Sequence, residues 1–250
     1  SVGFNLVIDR MRGAQIGFVN GAGELDGVQV GFVNVTRGGG VGAQVGLVNV
    51  TDEHRGVMVG LVNVAKDADV AIGLLNFIKR GIHHVDLWAT DTSLINVGVK
   101  FGARHTYTLL HDSVDPFGDA HGGVGVGLGV RLPQLGIAAM DFDAVSSLVF
   151  GMNFSEEKIW RTPAFHHRLR VLLNLRFAPH FGIFFGPTIN LMVSAPERDP
   201  ATGELDLFSS PGSFRMRDNG SGISVIPAAG RETGIGRVQV WPGLVLGLSF

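Results

Sequence analysis

Residues 42–50 read GAQVGLVNV, and near copies of this stretch fill the first third of the chain. Each copy ends on an Asn, or places one next to last, so an Asn recurs about every 14 residues. These Asn residues are Asn20, Asn34, Asn49, Asn63 and Asn76. Large apolar residues alternate with Gln, Gly and Asn, as in a strand with two unlike faces. Mid-segment Gly and abundant Val argue against a helix. The repeat therefore predicts one extended strand per copy.

Two architectures can be built from such strands. The segments between copies, such as TRGGGV at 36–41 and TDEHR at 51–55, are rich in turn-forming residues. An up-and-down antiparallel sheet would pair each strand with the next, whereas a β-solenoid would stack one coil per repeat and align the Asn residues in a ladder. Fourteen residues is short for a coil, and strand-like alternation continues beyond residue 78. Both points favour the antiparallel sheet, with the solenoid as the alternative for the first third only.

The alternation continues to the C-terminus. In HRLRVLLNLRF, residues 167–177, Leu169 and Val171 lie on one face while Arg168 and Arg170 lie on the other. Similar stretches occupy 93–101, 123–132 and 181–193. They exceed the ~5–6 residues usual in soluble sheets and match the ~9–11 that cross a bilayer at a tilt. The pattern suits a membrane barrel with its apolar face in lipid and its arginines in a wet lumen.

The last strand, VQVWPGLVLGLSF at 238–250, carries apolar residues at every second position and ends on Phe. This ending resembles the terminal signature of bacterial outer-membrane β-barrels, which the barrel-assembly machinery recognises. The matching positions are Phe250, Leu248, Leu246 and Leu244. The resemblance implies outer-membrane lipid and the assembly machinery as partners.

The whole chain is similar to a poorly characterised group of Gram-negative surface-repeat proteins, presumed to be outer-membrane barrels. The similarity rests on the GxQ(V/I)GLVN repeats, on IGLLNFIKRG after them, and on the late FFGPTINLMV. Met58 and Ala71 depart from it where the repeat expects Gln, and Asp69 where it expects Gly. The resemblance implies a location and a fold, and it assigns no activity to any residue.

Composition and residue spacing argue against several classes of function. The net charge of −2 gives no reason to expect a nucleic-acid partner, and the absence of Cys excludes thiolate metal sites. Adjacent His residues at 83–84 and 166–167 point to opposite faces of a strand, so neither pair chelates one metal ion. His105, His111, His121 and Ser113 lie near a predicted rim, but no spacing selects among them. We therefore predict no enzyme activity, no metal site and no cofactor.

These observations predict an all-β chain with a single domain over 1–250. Its fold is a transmembrane up-and-down antiparallel β-barrel in the cell outer membrane, with an even number of strands, about fourteen. Residues 13–78 supply the repeat-derived strands, and 195–235 form a long extracellular or inward-folded loop. Candidates for an interfacial aromatic girdle are Trp88, Trp160, Trp241 and Tyr107.

The polar face of the strands defines the predicted lumen. The pore-lining candidates are Gln15, Gln29, Gln44, Lys100, Arg131, Asp141, Asp143, Arg168, Arg170, Asn174 and Arg176. We predict a passive pore for small polar solutes. The alternatives are a plugged, non-conducting barrel that acts as a surface scaffold or as a subunit of an envelope complex, and a soluble β-repeat binding module.

Overall fold

The chain is all-β, as predicted. The computed structural model describes residues 3–115, 121–151, 164–178, 180–194, 197–198, 205–206, 229–233 and 236–250. Every regular element in these residues is a strand, and none of them forms a helix long and apolar enough to span a membrane. Most of the predicted loop 195–235, including GISVI at 222–226, lies outside the described residues, as does Trp160.

Eighteen strands are described. The first seven are β1 (Phe4–Ile16), β2 (Val19–Val30), β3 (Val33–Val45), β4 (Val48–Val59), β5 (Val62–Ala65), β6 (Asp67–Ile72) and β7 (Leu75–Ile78). The next seven are β8 (Ile82–Thr90), β9 (Ile95–Gly102), β10 (Thr106–Asp115), β11 (His121–Arg131), β12 (Ala138–Gly151), β13 (Ala164–Ala178) and β14 (Phe181–Ser194). The last four are β15 (Glu197–Arg198), β16 (Leu205–Asp206), β17 (Ala229–Thr233) and β18 (Gly236–Ser249).

The chain divides into two compact units. The first unit comprises Ser1–His84, Lys100–Leu109 and Leu128–Pro133. The second unit comprises Val85–Val99, Leu110–Gly127 and Gln134–Phe250.

The repeats of the first unit form a parallel sheet, so the predicted antiparallel arrangement of this third of the chain is wrong. The sheet runs β1–β2–β3–β4–β5–β7, with β6 also paired to β4. Each coil lies in register on the one before it, and Asn34 pairs with Asn20 and with Asn49. This solenoid-like stack places identical residues above one another. A hairpin would instead have put the Asn of one copy opposite the start of the next.

An Asn ladder joins the coils through their interior. Asn20 Nδ2 donates to Asn34 Oδ1 at 2.8 Å and to the Val30 carbonyl at 2.9 Å. Asn34, Asn49 and Asn63 repeat this pair of bonds in the following coils. The ladder ends where Asn76 Nδ2 donates to Thr108 Oγ1 at 2.9 Å. Each fully buried amide is therefore hydrogen-bonded, which removes the cost of burying it.

The chain bends inside the repeat and not between repeats. β3 runs through the predicted turn TRGGGV, where the register merely shifts between Thr36 and Gly39. The bend falls instead at Gly46–Leu47. A Cβ on Gly46 would collide with the Gly31 carbonyl oxygen and lie 2.7 Å from Asn34 Nδ2. Gly recurs at this position because successive coils approach each other too closely for a side chain.

The outward surface of the stack is segregated into two rims. The apolar rim lies at the bends and consists of Phe18, Phe32, Leu47, Leu61 and Leu74, all exposed. The charged rim lies near the register shifts, where exposed ion pairs such as Arg10–Glu24 at 2.8 Å and Lys66–Asp52 at 2.9 Å link neighbouring coils. His54, beside this rim, is buried, and burial lowers the pKa of its imidazole from 6.5.

The remaining long strands form an antiparallel sheet that closes on itself. Its order is β14–β13–β12–β11–β10–β9–β8–β18, and β14 also pairs with β18. This gives a closed barrel of eight strands instead of the predicted fourteen or so, because the repeat strands pair among themselves. The strands β12, β13, β14 and β18 have 14 or 15 residues each.

The coil spacing in the repeat stack makes a steric prediction. Gly46→Ala should destabilise the stack by about 1–3 kcal/mol, because the added methyl group forces two coils apart. Gly39→Ala is the matched control, since the only atom near its Cβ position is the Glu53 carbonyl oxygen at 3.9 Å. Hydrogen–deuterium exchange across residues 33–64 should show faster exchange for the first variant only. Equal exchange in both variants would contradict the close coil contact.

Candidate functional site: the polar interior of the barrel

Strand alternation directs polar side chains into the barrel and apolar side chains outward. On β13, His166, Arg168 and Arg170 are buried, whereas Leu169 is 58% exposed and Val171 is also exposed. The same division holds on β12, where Asp141 and Asp143 are buried and Phe142 is exposed. No layer of the described residues covers Leu169 or Val171. The expected polar interior and apolar exterior are therefore present in this sheet.

An ion pair lies at the centre of the polar interior. Arg170 Nε donates to Asp143 Oδ1 at 2.6 Å, and Arg170 Nη2 donates to Asp143 Oδ2 at 2.9 Å. The two residues face each other directly across β12 and β13, and both side chains are almost completely buried. Arg170 also lies over the Trp88 ring, with its Cζ atom 5.3 Å from the ring centroid. The bidentate geometry and the aromatic contact compensate the desolvation of both charges.

The second arginine is held by neutral groups. Arg168 Nε donates to Asn190 Oδ1 at 3.0 Å, and Arg168 Nη2 donates to Thr92 Oγ1 at 3.0 Å. His166 Nε2 also approaches Asn190 Oδ1, at 3.1 Å. Nearby, Trp241 Nε1 donates to Asp91 Oδ2 at 2.6 Å. Side chains from β13, β14, β18 and the turn after β8 are thus hydrogen-bonded to one another in the interior.

A buried serine–histidine pair occupies another part of the interior. His111 Nε2 and Ser147 Oγ are 2.9 Å apart, and a Cβ on Gly125 would collide with the ring of His111. The His111 Nδ1 atom has no hydrogen-bond partner among the described residues. In a catalytic triad a carboxylate would orient the imidazole through this atom. Among the described residues, His111 and Ser147 therefore form a two-residue pair with no carboxylate bonded to the imidazole.

Aromatic side chains fill much of the remaining space. Trp88, Phe184 and Trp241 are buried, and the Trp88 ring centroid lies 6.5 Å from that of Phe184 and 5.6 Å from that of His111. The prediction that Trp88, Trp241 and Tyr107 form an interfacial girdle is wrong, because all three side chains point inward. The Trp241 indole N–H donates to Asp91, and the rings of Trp88 and Tyr107 face Arg170 and Lys100. Trp88 Nε1 has no hydrogen-bond partner among the described residues.

The predicted pore-lining residues divide into three sets. Asp141, Asp143, Arg168 and Arg170 are buried in the second unit, and Asn174 and Arg176 are half-buried near the end of β13. Lys100 and Arg131 belong to the first unit, where they lie 4.9 Å and 5.8 Å from the Tyr107 ring centroid.

The three glutamines lie elsewhere. Gln15, Gln29 and Gln44 form a second ladder inside the repeat stack, where Gln44 Nε2 donates to Gln29 Oε1 and Gln29 Nε2 to Gln15 Oε1, each at 2.8 Å. Their assignment to the barrel lumen is wrong, because it assumed that the repeats are barrel strands. At Met58 the ladder stops, and the buried Gln44 Oε1 is left without a partner among the described residues.

The C-terminal residues close the barrel. Leu244, Leu246 and Phe250 are exposed on the outer face of the second unit, and Leu248 is half-buried. Leu248 pairs with Ile183 on one side and with Leu87 on the other, and Phe250 and Val85 exchange backbone hydrogen bonds of 2.9 and 3.0 Å.

Sequence reasoning did not single out Trp88, Phe184, His111, Ser147 or Asn190 as members of this interior. Alternation places Phe184 and Asn190 on the polar side of β14, which is the one signal that could have identified them. Within the described part of the chain, no group of three His, Asp or Glu side chains is arranged to hold a metal ion.

The chain matches no protein-family model, no curated protein and no solved structure. The similarity to Gram-negative surface-repeat proteins therefore stays a prediction, and the interior must be interpreted from its own geometry.

The buried ion pair makes an energetic prediction. Arg170→Leu should destabilise the barrel by about 3–5 kcal/mol, because the Asp143 carboxylate is left buried without its countercharge. Adding Asp143→Leu should restore most of the loss, since an apolar pair of similar volume needs no compensation. Denaturant unfolding of the purified protein measures both effects.

Arg12→Leu is the control for that experiment. Arg12 and Asp26 form an exposed pair with an N–O distance of 3.7 Å, so its loss should cost less than about 1 kcal/mol. A double variant no more stable than Arg170→Leu alone would contradict the role assigned to the Asp143 charge.

Proposed function

We propose that the chain is a bacterial outer-membrane protein whose eight-stranded barrel has a closed lumen and serves as a non-conducting scaffold of the cell envelope. The observation that carries the proposal is the polarity of the barrel strands: charged and amide side chains point inward, and large apolar side chains point outward into contact with the surroundings. Water on the outside would leave that apolar surface unfavourably exposed, whereas lipid would cover it.

Outward apolar residues occur on several neighbouring barrel strands. On β11 they are Val124, Val126, Leu128 and Val130, and on β14 they are Phe185 and Ile189. A soluble monomer rarely carries such a continuous apolar surface. Among the described strands, β18 closes the barrel by pairing with both β14 and β8, and closure of this kind is what a sheet that spans hydrocarbon requires.

Strand length supports the same proposal. A bilayer requires ~9–11 residues per tilted strand. β8, β10 and β11 have 9 to 11 residues, and the four longest strands extend beyond this range. The extra residues of the long strands would project from one side of the membrane.

The contents of the lumen support a closed barrel over a pore. An eight-stranded barrel has an interior just wide enough for side chains to fill. Here Arg170 and Asp143 join neighbouring strands, and Trp88 and Phe184 pack beside them. The passive pore for small polar solutes remains the second candidate, favoured by the polar character of the interior, and the filling of that interior weighs against it.

The partners of this proposal are outer-membrane lipid, the barrel-assembly machinery and other envelope proteins. The apolar residues at every second position of β18, such as Leu244, Leu246 and Leu248, support recognition by the assembly machinery. The first unit supports the scaffold role, because its stacked coils expose a long surface with an apolar rim and a charged rim. A soluble β-repeat binding module is the third candidate, and the outward apolar face of β11 and β14 weighs against it.

Two exposed leucines test whether the barrel lies in a membrane. Leu169→Arg should prevent stable insertion, because an arginine on the lipid face costs about 2–4 kcal/mol near the bilayer midplane. Leu135→Arg is the control, since Leu135 is 82% exposed in the connection between β11 and β12. Fractionation and the gel shift between unheated and boiled samples measure insertion. If both variants remain folded and soluble without detergent, the membrane proposal is wrong.

Planar-bilayer recordings test whether the lumen is closed. Purified protein reconstituted in a bilayer should show no stepwise conductance in 1 M salt, because the side chains described above fill the barrel. Insertion is verified in the same preparation by protease protection of the barrel strands. Reproducible channels from inserted wild-type protein would favour the passive pore instead.

A further inference from the structure

The edge of the repeat stack at β1 differs from every inner coil. The outward side chains of Phe4, Leu6 and Ile8 are 84%, 78% and 84% exposed. In the coils stacked behind β1, the residues at matching register that carry apolar side chains, Val19, Val33 and Val35, are only half-exposed. Among the described residues no strand pairs with β1 on its other side. The edge therefore keeps apolar area that coil stacking covers elsewhere.

The Asn ladder is incomplete at this edge. Asn5 Nδ2 uses both of its hydrogens, donating to Ile16 O at 3.0 Å and to Asn20 Oδ1 at 2.8 Å. In Asn20, Asn34, Asn49 and Asn63, Oδ1 accepts a hydrogen bond from the Asn of the preceding coil. No described residue donates to Asn5 Oδ1. The edge thus presents a hydrogen-bond acceptor at this position.

At the same edge, the Gln ladder presents a hydrogen-bond donor, whereas the Asn ladder presents an acceptor. Gln29 Nε2 and Gln44 Nε2 each donate to the Gln Oε1 of the preceding coil. Gln15 Nε2 makes one hydrogen bond, to Gly21 O at 3.3 Å, so one N–H remains for a further acceptor. The edge therefore requires a donor above Asn5 and an acceptor above Gln15.

The backbone at the edge has room for a partner strand. In three inner coils a Cβ on Gly27, Gly42 or Gly56 would collide with the carbonyl of the preceding glycine. The corresponding Cβ position of Gly13, in contrast, has no atom of the described residues within 4 Å. A carbonyl of a further parallel strand would fit there as it fits in the inner coils.

From these groups we infer that the β1 edge binds an extended segment of another polypeptide chain that carries the same repeat chemistry. The segment runs parallel to β1 and places an Asn amide over Asn5 and a Gln carbonyl over Gln15. The strand β3 has the required pattern, because Asn34 and Gln44 are ten residues apart, as are Asn5 and Gln15, and both strands have 13 residues. Strand addition of this kind combines backbone hydrogen bonds with side-chain specificity.

A two-fold contact whose axis passed through Asn5 would set two Oδ1 acceptors against each other. Two antiparallel β1 edges match only if Asn5 of each copy lies opposite Gln15 of the other. A parallel partner strand with an Asn and a Gln ten residues apart meets both groups in one register.

A synthetic peptide with the sequence of residues 33–45, VNVTRGGGVGAQV, tests the inference. Fluorescence anisotropy of the labelled peptide with the full chain in detergent should show saturable binding. The same peptide with Asp in place of its Asn offers no side-chain donor and should bind at least about tenfold more weakly. A scrambled peptide should not bind.

Two variants of the protein locate the binding edge. Leu6→Ala should weaken peptide binding about threefold or more, because the partner strand covers part of this side chain. Leu135→Ala, which removes a similarly exposed Leu from the connection between β11 and β12, should leave binding unchanged. Both leucines are highly exposed, so both variants should fold, and both should show the same bilayer recordings as the wild-type protein. The inference therefore stands or falls separately from the proposed closed lumen.

Several results would overturn the inference. One is equal binding of the Asn and Asp peptides, or binding of the scrambled peptide, since either would show a nonspecific apolar contact. Another is the absence of binding by the wild-type sequence. Hydrogen exchange provides the last test: protection of the amides of residues 4–8 in the free monomer would show that another part of the same chain covers the edge, and protection only in a self-associated form would show that a second copy does.

Discussion

Hydrogen bonding of buried polar side chains is the constraint on which both units depend. Each unit turns large apolar residues outward and amide, hydroxyl or charged groups inward, which reverses the usual arrangement of a globular protein. An interior of this kind is stable only when its donors and acceptors are paired, because an unpaired buried polar group costs about 1–3 kcal/mol. The Asn ladder meets this condition by repetition. In the barrel, specific pairs such as Arg170–Asp143 meet it in part, and Trp88 Nε1 and His111 Nδ1 are left without a partner among the described residues.

The repeat stack and the barrel differ in how their hydrogen bonds respond to a substitution or a register shift. In the stack, Asn follows Asn in register, so each amide bonds to the next amide and to a backbone carbonyl. The Gln ladder shows the effect of one substitution in the repeat. Met58 stands where the repeat has Gln and has no amide to donate, so the buried Gln44 Oε1 has no hydrogen-bond partner among the described residues. In the barrel, register fixes the partners individually, and Asp143 faces Arg170 because β12 and β13 are aligned at those residues. A shift of β13 by one residue would separate this pair and turn the Arg170 side chain outward.

Closure of the barrel and the ending of the stack follow from the same requirement. Among the described strands, the barrel closes because β18 pairs with both β14 and β8, whereas the short strand β17 pairs with β18 alone. In the last coil of the stack, Asn76 Nδ2 donates a hydrogen bond to the Thr108 hydroxyl, and the Asn ladder ends there. At the opposite end, Asn5 and Gln15 keep an acceptor and a donor for groups outside the described chain. An edge with such defined polar groups differs from a merely apolar surface, because it specifies the chemistry of what can bind.

Alternation in the sequence determined the strands, their two faces and the inward positions of Asp141, Asp143, Arg168 and Arg170, because the side-chain period of a strand is a local property. The direction of pairing is not local, and the same alternation serves a hairpin and a coil. Only the tertiary structure decided that the repeats stack in parallel, that eight strands close the barrel, and that Gln15, Gln29 and Gln44 lie outside its lumen. The physical reason is that Gly46 permits neighbouring coils to approach closely, so that matched Asn amides form hydrogen bonds with each other. These hydrogen bonds stabilise the parallel arrangement only when the coils are already in contact.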